Sequence, residues 1–567
     1  LAAPAPLRAE PAPDPARFLP ADTGLLVKVE QPRRLVESAV GLELIRDLYR
    51  LEPLRELADT TSARRALRLL RYFEQELGAP WPELLDRLAG GGVAIGVRYL
   101  TGSSPAVLVI QGTDPALAEK FQRLALELIE SELARTEAKV QVERRTYEGV
   151  EGIRVGKNFF TARIDAALLV ASSNAALKSA IDLHLAHSRG EKAESLAGAA
   201  GPRAARKVLP EGPLAWAWLN FAPLKALPQA KEVFARPRND FNLTFLFGGW
   251  LDAARRSDFL TAGLYRTEGG FLTTVRLPAG RDTLPEEMAL HVPPPGEPGT
   301  LPLLEPEGVL FSHSFYLDLK AMWDYRKLLM PEGVAKSFEE GVKQGSRFIP
   351  GGTLPKVFER SGVYHRFVAA APRDAGYGTE LLQKLPSFAF VTSMRDPAFV
   401  RTVEPLIRTG ALAASTQFKL RMREEEYKGV KIVGYHFPED RDLPGDVSKL
   451  RFNFSPCFAA AGDQFLVCSC VPFCKELIDE VRSASRAGSS PANMRMRFYA
   501  EGAKALLNAA PDQLVTQAVL DQAVPVGEAK ERIAEFLTWL ERAGTLTLET
   551  EHGADSFRFD IRWQYGK

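Results

Sequence analysis

The sequence lacks a long hydrophobic run, an excess of charge and a recognisable catalytic motif. No stretch reaches the roughly 18 apolar residues that a membrane-spanning helix needs. The 72 basic and 71 acidic residues leave a formal charge of +1, so no global field attracts nucleic acid or an anionic membrane. The motifs GxSxG, GK[ST] of nucleotide-binding loops, HExxH and CxxCH are also missing. We therefore predict no catalytic residue, no cofactor and no nucleic-acid partner.

The N-terminal segment, residues 1–17, contains five prolines and few large apolar residues. A segment of this composition cannot build a core, so we predict a disordered tether. The chain starts without Met, and Ala3-Pro4-Ala5 is typical of the small-residue end of a cleaved secretory signal. We expect an exported protein, periplasmic or extracellular; the alternative is an arbitrary boundary within a Pro/Ala linker.

One motif occurs twice: YEGVEG at 147–152 returns as YKGVKI at 427–432. Further matches lie on both sides of it and in the same order. Residues 112–121 match 394–403, and 159–182 match 457–479. Collinear matches with small changes in loop length predict a tandem duplication.

The duplication divides the chain into two repeats joined by a proline-rich linker that contains PPPGEPG. The predicted segments are the first repeat, 18–282, with parts 18–190 and 208–282; the linker, 283–303; and the second repeat, 304–567, with parts 304–485 and 493–567.

Each part begins with a strand and a helix and later yields a pair of strands, so the quarter unit is β-α-β-β. Short turns such as Glu268-Gly269-Gly270 join only antiparallel neighbours. We therefore predict an α+β fold with antiparallel sheets and helices on one sheet face.

Three motifs resemble those of a family of exported bacterial proteins built on a domain of unknown function. They are the LPADT start at 19–23 that leads into a strand and helix, the Y-x-G-V strand, and the hairpin that ends in LLVAS before a helix. The resemblance covers mainly residues 18–186 and, more weakly, the second repeat. It implies export and an α+β repeat, and it assigns no catalytic residue.

The sequence has only four cysteines, Cys457, Cys468, Cys470 and Cys474, and they lie close together. If Gly462-Asp463 is a two-residue turn, Cys457 lies opposite Cys468 on the adjacent strand, and Cys470 shares the face of Cys468. The aligned residues of the first repeat are Phe159, Ala171, Ser173 and Leu177. The fold therefore does not require the cysteines.

Three interpretations of the cysteines compete. In an exported protein we prefer a Cys457–Cys468 disulfide, with Cys470–Cys474 as the other local pairing, although sequence alone does not choose among the three connectivities. A four-thiolate metal site is the second, but CxCx₃C lacks the paired CxxC of common zinc sites. Buried reduced thiols that pack as small hydrophobic residues are the third.

The seven histidines offer weaker candidates. His184 and His187 would share a helix face near Asp182, as two metal ligands would, but a third ligand is missing. His313 and His365 lie in predicted strands and face either a core or a cleft.

These observations favour a non-catalytic exported binding or scaffold protein whose partner is a protein or a cell-envelope component. One alternative is a metal-binding or thiol-redox protein that uses the four cysteines. Another is a hydrolase with an unrecognised site between the two copies.

Overall fold

The structure, a computed structural model, describes residues 12–41, 60–100, 102–136, 140–192, 194–349, 352–381, 383–443, 445–446, 448–483, 488–509 and 511–566. They form two compact units. The first comprises the described residues up to Lys231 together with Ser257–Leu277, and the second comprises Glu232–Arg256 and the described residues from Pro278 onward.

With 44% helix and 27% strand, and with antiparallel sheet throughout, the fold is α+β, which confirms the predicted class. Among the described helices, none has the length and hydropathy needed to cross a membrane.

The first unit is built on ten strands: β1 Leu25–Val29, β2 Gly92–Val97, β3 Ala106–Gln111, β4 Val142–Tyr147, β5 Val150–Val155, β6 Phe159–Ile164, β7 Ala167–Ala171, β8 Ala215–Asn220, β9 Phe259–Thr267 and β10 Gly270–Leu277. They pair antiparallel in the order β4-β5-β6-β7-β3-β2-β1-β8-β9-β10.

The second unit also has ten strands: β11 Val309–Tyr316, β12 Ser361–Ala370, β13 Ser387–Met394, β14 Arg421–Tyr427, β15 Val430–His436, β16 Cys457–Ala461, β17 Gln464–Cys468, β18 Met494–Tyr499, β19 Thr545–His552 and β20 Phe557–Gln564. Their antiparallel order is β14-β15-β16-β17-β13-β12-β11-β18-β19-β20. Strand for strand, this is the order of the first unit.

The described helices, in chain order, are α1 Pro32–Val40, α2 Thr61–Leu77, α3 Trp81–Ala89, α4 Pro115–Arg135, α5 Asn174–Ser188, α6 Ala200–Lys207, α7 Phe221–Ala226, α8 Lys231–Phe234, α9 Phe241–Arg256, α10 Leu319–Asp324, α11 Arg326–Leu329, α12 Glu332–Ser346, α13 Leu354–Arg360, α14 Ala398–Phe418, α15 Val471–Ser483, α16 Ala500–Asn508, α17 Pro511–Gln522 and α18 Val526–Arg542.

The repeated Y-x-G-V motif forms the turn of a hairpin in each unit. Tyr147 pairs with Val150, and Tyr427 pairs with Val430. The two residues between them have positive φ in both hairpins, 48° and 81° in the first and 49° and 76° in the second. Such turns match the twist of antiparallel strands, and glycine at the second position adopts positive φ without a steric cost.

The tyrosine of each motif also holds the hairpin to the following helix. The Tyr427 hydroxyl donates to Asp479 of α15 over 2.8 Å. In the first unit a hydrogen bond to Asp182 of α5 raises the pKa of Tyr147. These aspartates end the long sequence match, so each copy of the motif makes the same hairpin-helix contact in its unit.

Helices cover both faces of the sheet at the β15–β17 end, which corrects the prediction of helices on one face. Ala459 and Leu477 belong to the core that α15 covers. Phe458 and Phe465 point to the opposite face and pack against Phe399 of α14. Strands with apolar residues at successive positions are buried on both sides, and here α15 covers one face and α14 the other.

The predicted tether is shorter than residues 1–17. Asp14 caps a 3-10 helix at Pro15–Phe18, and Ala16 and Phe18 are 3% and 0% exposed. The burial of Phe18 orders the residues just before it. Residues 1–11 of the predicted tether lie outside the described part of the chain.

The segment predicted as a linker, 283–303, packs into the second unit. It contains a 3-10 helix at Glu286–His291, and Met288, Leu290 and Val292 are buried. Its apolar residues stand among prolines, so the segment is excluded from strands yet contributes to a core. Helix α9, which the sequence places in the first repeat, also belongs to the second unit.

Candidate functional site

The second unit contains two features with functional potential, a group of three thiols and an apolar pocket. The thiols arise from the hairpin of β16 and β17, where Cys457 lies directly opposite Cys468. Gly462 and Asp463 form the turn, so the predicted register is confirmed.

Helix α15 supplies the third thiol. Its first turn lies over the hairpin, and the sulfur atoms of Cys457, Cys468 and Cys474 all lie within 4.8 Å of one another. All three side chains are buried, with exposures of 3%, 3% and 0%. We call these residues the thiol group.

Cys470 lies outside the thiol group, although the sequence predicts that it shares the face of Cys468. Strand β17 ends at Cys468, and the chain turns through Ser469 and Cys470 before α15 begins. The Cys470 sulfur instead lies 3.6 Å from the Ser387 hydroxyl. The sulfur atoms of three of the four predicted metal-ligating cysteines therefore lie close to one another, and the sulfur of the fourth, Cys470, does not join them.

The three thiols influence one another electrostatically. Hydrogen bonds from Cys457 and Cys468 to the Cys474 sulfur lower the pKa of Cys474 to about 5. Burial and the shared hydrogen bonds raise the pKa of Cys468. The hydrogen bonds from Cys457 and Cys468 thus favour the thiolate form of Cys474 over its thiol form. All four cysteines are free thiols in the structure, and the Cys457–Cys468 disulfide stays a prediction.

The first unit contains the same hairpin and helix without thiols. In its register Phe160, not the sequence-aligned Phe159, lies opposite Ala171 at the position equivalent to the Cys457–Cys468 pair. Phe160, Ala171 and Leu177 of α5 are all buried there. In the first unit, three apolar side chains thus occupy the positions that the three thiols occupy in the second unit.

The pocket lies between α9, the Glu286–His291 segment and strands β11, β12, β13 and β18. Its volume is about 360 Å³. Its walls combine aromatic and aliphatic residues with three imidazoles and one amide; they include Phe245, Leu246, Trp250, His291, His313, Phe315, His365, Phe390, Asn493 and Met494. No Asp, Glu, Lys or Arg is among the lining residues described.

Most imidazoles at the pocket are held by hydrogen bonds. His291 Nε2 lies 3.3 Å from the Thr244 carbonyl and donates to it. His365 Nε2 donates to the Leu317 carbonyl over 3.0 Å, so its Nδ1 accepts from the Thr392 hydroxyl over 2.9 Å. His291 and His365 are therefore each fixed in one neutral tautomer.

His313 differs from these histidines. Its Nε2 is buried and has no hydrogen-bond partner within the described residues. Its ring stacks on Phe315 with centroids 4.7 Å apart. Burial lowers the pKa of His313 to about 4, so the imidazole is neutral near pH 7. This side chain offers a ligand a hydrogen-bonding group inside an apolar wall.

The pocket shares Phe390 with an exposed sheet face, which we call the aromatic face. Its members, from neighbouring strands in register, are Phe388, Phe390, Val467 and Phe498, and each is between 40% and 44% exposed. Large apolar side chains clustered on a surface are a feature of binding sites in soluble proteins.

The sequence indicates two of the lining residues, His313 and His365, as candidates, but it does not predict the pocket. The walls come from segments near 245, 290, 315, 365, 390 and 494, and only the folded sheet brings them together. The alternation of aromatic and small polar residues in FSHSFY, 311–316, is the signal that could have indicated an aromatic face.

His184 and His187 form no metal site with Asp182. Among the described residues, the thiol group is the one set of three or more His, Cys, Asp or Glu side chains with ligand atoms close enough to hold a metal ion, and it contains no histidine. His184 stacks on Phe18 at 5.6 Å and His187 is exposed.

No protein-family model and no curated protein matches the sequence. Among solved structures, the chain is similar to crystal forms I and III of TP0453. Form I has 10% identity and a TM-score of 0.23, over 48% of this chain and 82% of that chain. Form III has 11% identity and a TM-score of 0.25, over 49% and 84%. A likeness of this degree carries no inference about function.

Proposed function

We propose that the protein is a non-catalytic binding protein whose second unit holds an uncharged, largely apolar molecule in the pocket. The observation that carries this proposal is the lining, which combines five aromatic residues with neutral imidazoles and contains no ionised side chain among those described. A charged ligand would lose its hydration without gaining a counter-charge there.

The volume of the pocket and the polarity of its lining also support the binding of a small apolar molecule. A volume of about 360 Å³ is at the lower end of the roughly 300 to 1,000 Å³ typical of small-molecule sites. Apolar walls with a few convergent polar groups are also typical of such sites. His313 and Asn493 are the polar groups here, and the ligand carries a hydrogen-bonding group for His313 Nε2.

The proposal includes export, to the periplasm or the extracellular space, with a cell-envelope component as the source of the ligand. It also includes a tandem duplication of a half built from β-α-β-β quarters. The common strand order of the two sheets, the repeated positive-φ turn and the repeated tyrosine-aspartate contact support the duplication.

Titration of the full chain with an uncharged apolar fluorophore, N-phenyl-1-naphthylamine, tests the binding. Leu246 lines the pocket and is 60% exposed. We expect Leu246→Glu to weaken binding at least tenfold, because the carboxylate places a charge at the pocket wall. The matched control is Leu412→Glu, at a leucine that is 72% exposed and lies outside the pocket.

Equal affinity in both variants, or tighter binding of an anionic dye of similar size, would overturn the proposal. Turnover of any substrate by the isolated chain would instead support the hydrolase hypothesis, which stays a prediction.

A further inference from the structure

We propose that Cys457, Cys468 and Cys474 form a three-thiolate site for Cu(I). This site is separate from the pocket, and it uses three of the four cysteines rather than all of them. The proposal stands on the placement of the sulfur atoms, on their burial and on the first unit, where the same positions are apolar.

The sulfur spacing suits one metal ion. Thiolate sulfur lies about 2.3 Å from a bound ion such as Zn²⁺, so three sulfurs in a plane around an ion stand about 4 Å apart. The three sulfurs here lie within 4.8 Å of one another before any ion is bound. A change of under about 1 Å in each separation, well within side-chain rotation, closes the site.

The number of ligands favours Cu(I) over Zn²⁺. Structural zinc takes four protein ligands, and a three-ligand zinc site keeps an open position for water. In the part of the chain that the structure describes, no histidine or carboxylate joins the group. The thiol group is also buried from solvent. Cu(I) accepts three soft sulfur ligands and needs no fourth.

The neighbours of the group on the sheet are small. Gly434 lies opposite Cys457, and Ala389 lies opposite Cys468. A Cβ at Gly434 would stand 3.0 Å from Val471 Cγ2 and 3.8 Å from Cys457 Cβ. Glycine therefore lets the start of α15, and with it Cys474, approach the hairpin closely.

The first unit shows that the fold does not need sulfur at these positions. Phe160, Ala171 and Leu177 fill the equivalent hairpin and helix as ordinary core residues. Three replacements that converge on thiols in one place are expected for a metal site, whereas isolated packing changes would not select cysteine three times.

Binding involves no electron transfer. Copper enters and remains as Cu(I), each coordinating cysteine that is still protonated releases its proton to solvent, and three Cu–S bonds form. A disulfide between Cys457 and Cys468 would remove two ligands, so the bound and oxidised forms exclude each other.

Anaerobic Cu(I) titration of the full-length reduced chain against a chromophoric Cu(I) chelator tests the site, with native mass spectrometry to count the ions. We expect one Cu(I) per chain. Cys457→Ala, Cys468→Ala and Cys474→Ala should each weaken binding at least a hundredfold. The matched control is Cys470→Ala, at a cysteine that is also 0% exposed but lies outside the group, and it should bind as the wild type does.

Circular dichroism verifies the fold of each variant. Where an alanine variant does not fold, the serine variant at the same position replaces it. No bound copper, equal loss in Cys470→Ala, or preference for Zn²⁺ in competition would each overturn the proposal. The proposal would also be overturned if the native protein, denatured without reduction, had a mass about two hydrogens lower than that of the reduced chain, because this would show a disulfide.

Discussion

Four histidines of the second unit, His291, His313, His365 and His552, show how a buried imidazole stays neutral. Burial lowers the pKa of His291, His313 and His552 to about 4 and also lowers that of His365. His552 Nδ1 lies 3.4 Å from Asn493 Oδ1, and Asn493 Nδ2 donates to the His291 carbonyl. Neutral rings and one amide thus form a polar network without a formal charge.

These buried histidines make stability depend on pH. The unfolded chain takes up protons on histidine below about pH 6.5, whereas in the folded chain His291, His313 and His552 take them up only near pH 4. The stabilisation is therefore complete above about pH 6.5 and is lost as the pH falls towards 4. Between pH 7.5 and 5 we expect a loss of up to about 2 kcal/mol per histidine in the free energy of unfolding, measured by urea denaturation.

The variant His313→Phe separates this effect from general acid destabilisation. It removes one titrating group and keeps an aromatic ring beside Phe315. Its free energy of unfolding should fall less steeply with pH than that of the wild type. Parallel pH profiles for the two proteins would contradict the assignment of His313 as a neutral buried imidazole.

The hairpin turns provide a prediction at the scale of one element. Gly429 has a φ of 76°, and a Cβ added there would meet nothing within 4 Å. The cost of Gly429→Ala is therefore conformational only, and we expect a loss of about 1 kcal/mol in the free energy of unfolding. Chemical denaturation measures it.

Gly341, in the middle of α12, is the matched control, since a Cβ there also meets nothing within 4 Å. Because glycine is a poor helix former, Gly341→Ala should stabilise the chain by about 0.5 to 1 kcal/mol. A loss of stability in both variants would show that contacts, not backbone conformation, decide the outcome.

Short sequence patterns predict the turn and the strand register of a single hairpin. Gly462-Asp463 indicated the hairpin that places Cys457 opposite Cys468, because a two-residue turn determines the register. Cys474 could not be placed relative to them, since its position depends on how closely α15 approaches the sheet. The successive apolar residues of β16 and β17 indicate burial on both sheet faces, but which helix covers Phe458 and Phe465 depends on how α14 packs in the folded chain.

At the scale of the whole molecule, chain order and compact units do not coincide. Helix α9 follows β8 of the first unit but packs within the second, where Trp250 contacts the rings of Phe557 and Phe559 at 6.1 and 5.0 Å. The matches between the predicted repeats do not reveal this, because they do not show which core α9 packs into.

Trp250→Ala should therefore destabilise the second unit, although Trp250 lies before most of that unit in the chain. We expect a loss of about 3 kcal/mol, since the indole packs against two aromatic rings, together with weaker binding of N-phenyl-1-naphthylamine. Leu243→Ala is the control on the same helix, at a side chain that is 44% exposed. Unfolding and fluorescence titrations check both effects, and equal losses in the two variants would contradict the placement of Trp250.

The order of the strands leaves β4 and β14 at one end of their sheets. Their sequences are VERRTY and RMREEEY, and most of their side chains are exposed. Unpaired backbone groups at a sheet edge can recruit a strand from another molecule, and closely spaced charges discourage this. Each edge is thus protected against aggregation, and the exposed apolar side chains of the aromatic face lie on the flat of the second sheet and not on its β14 edge.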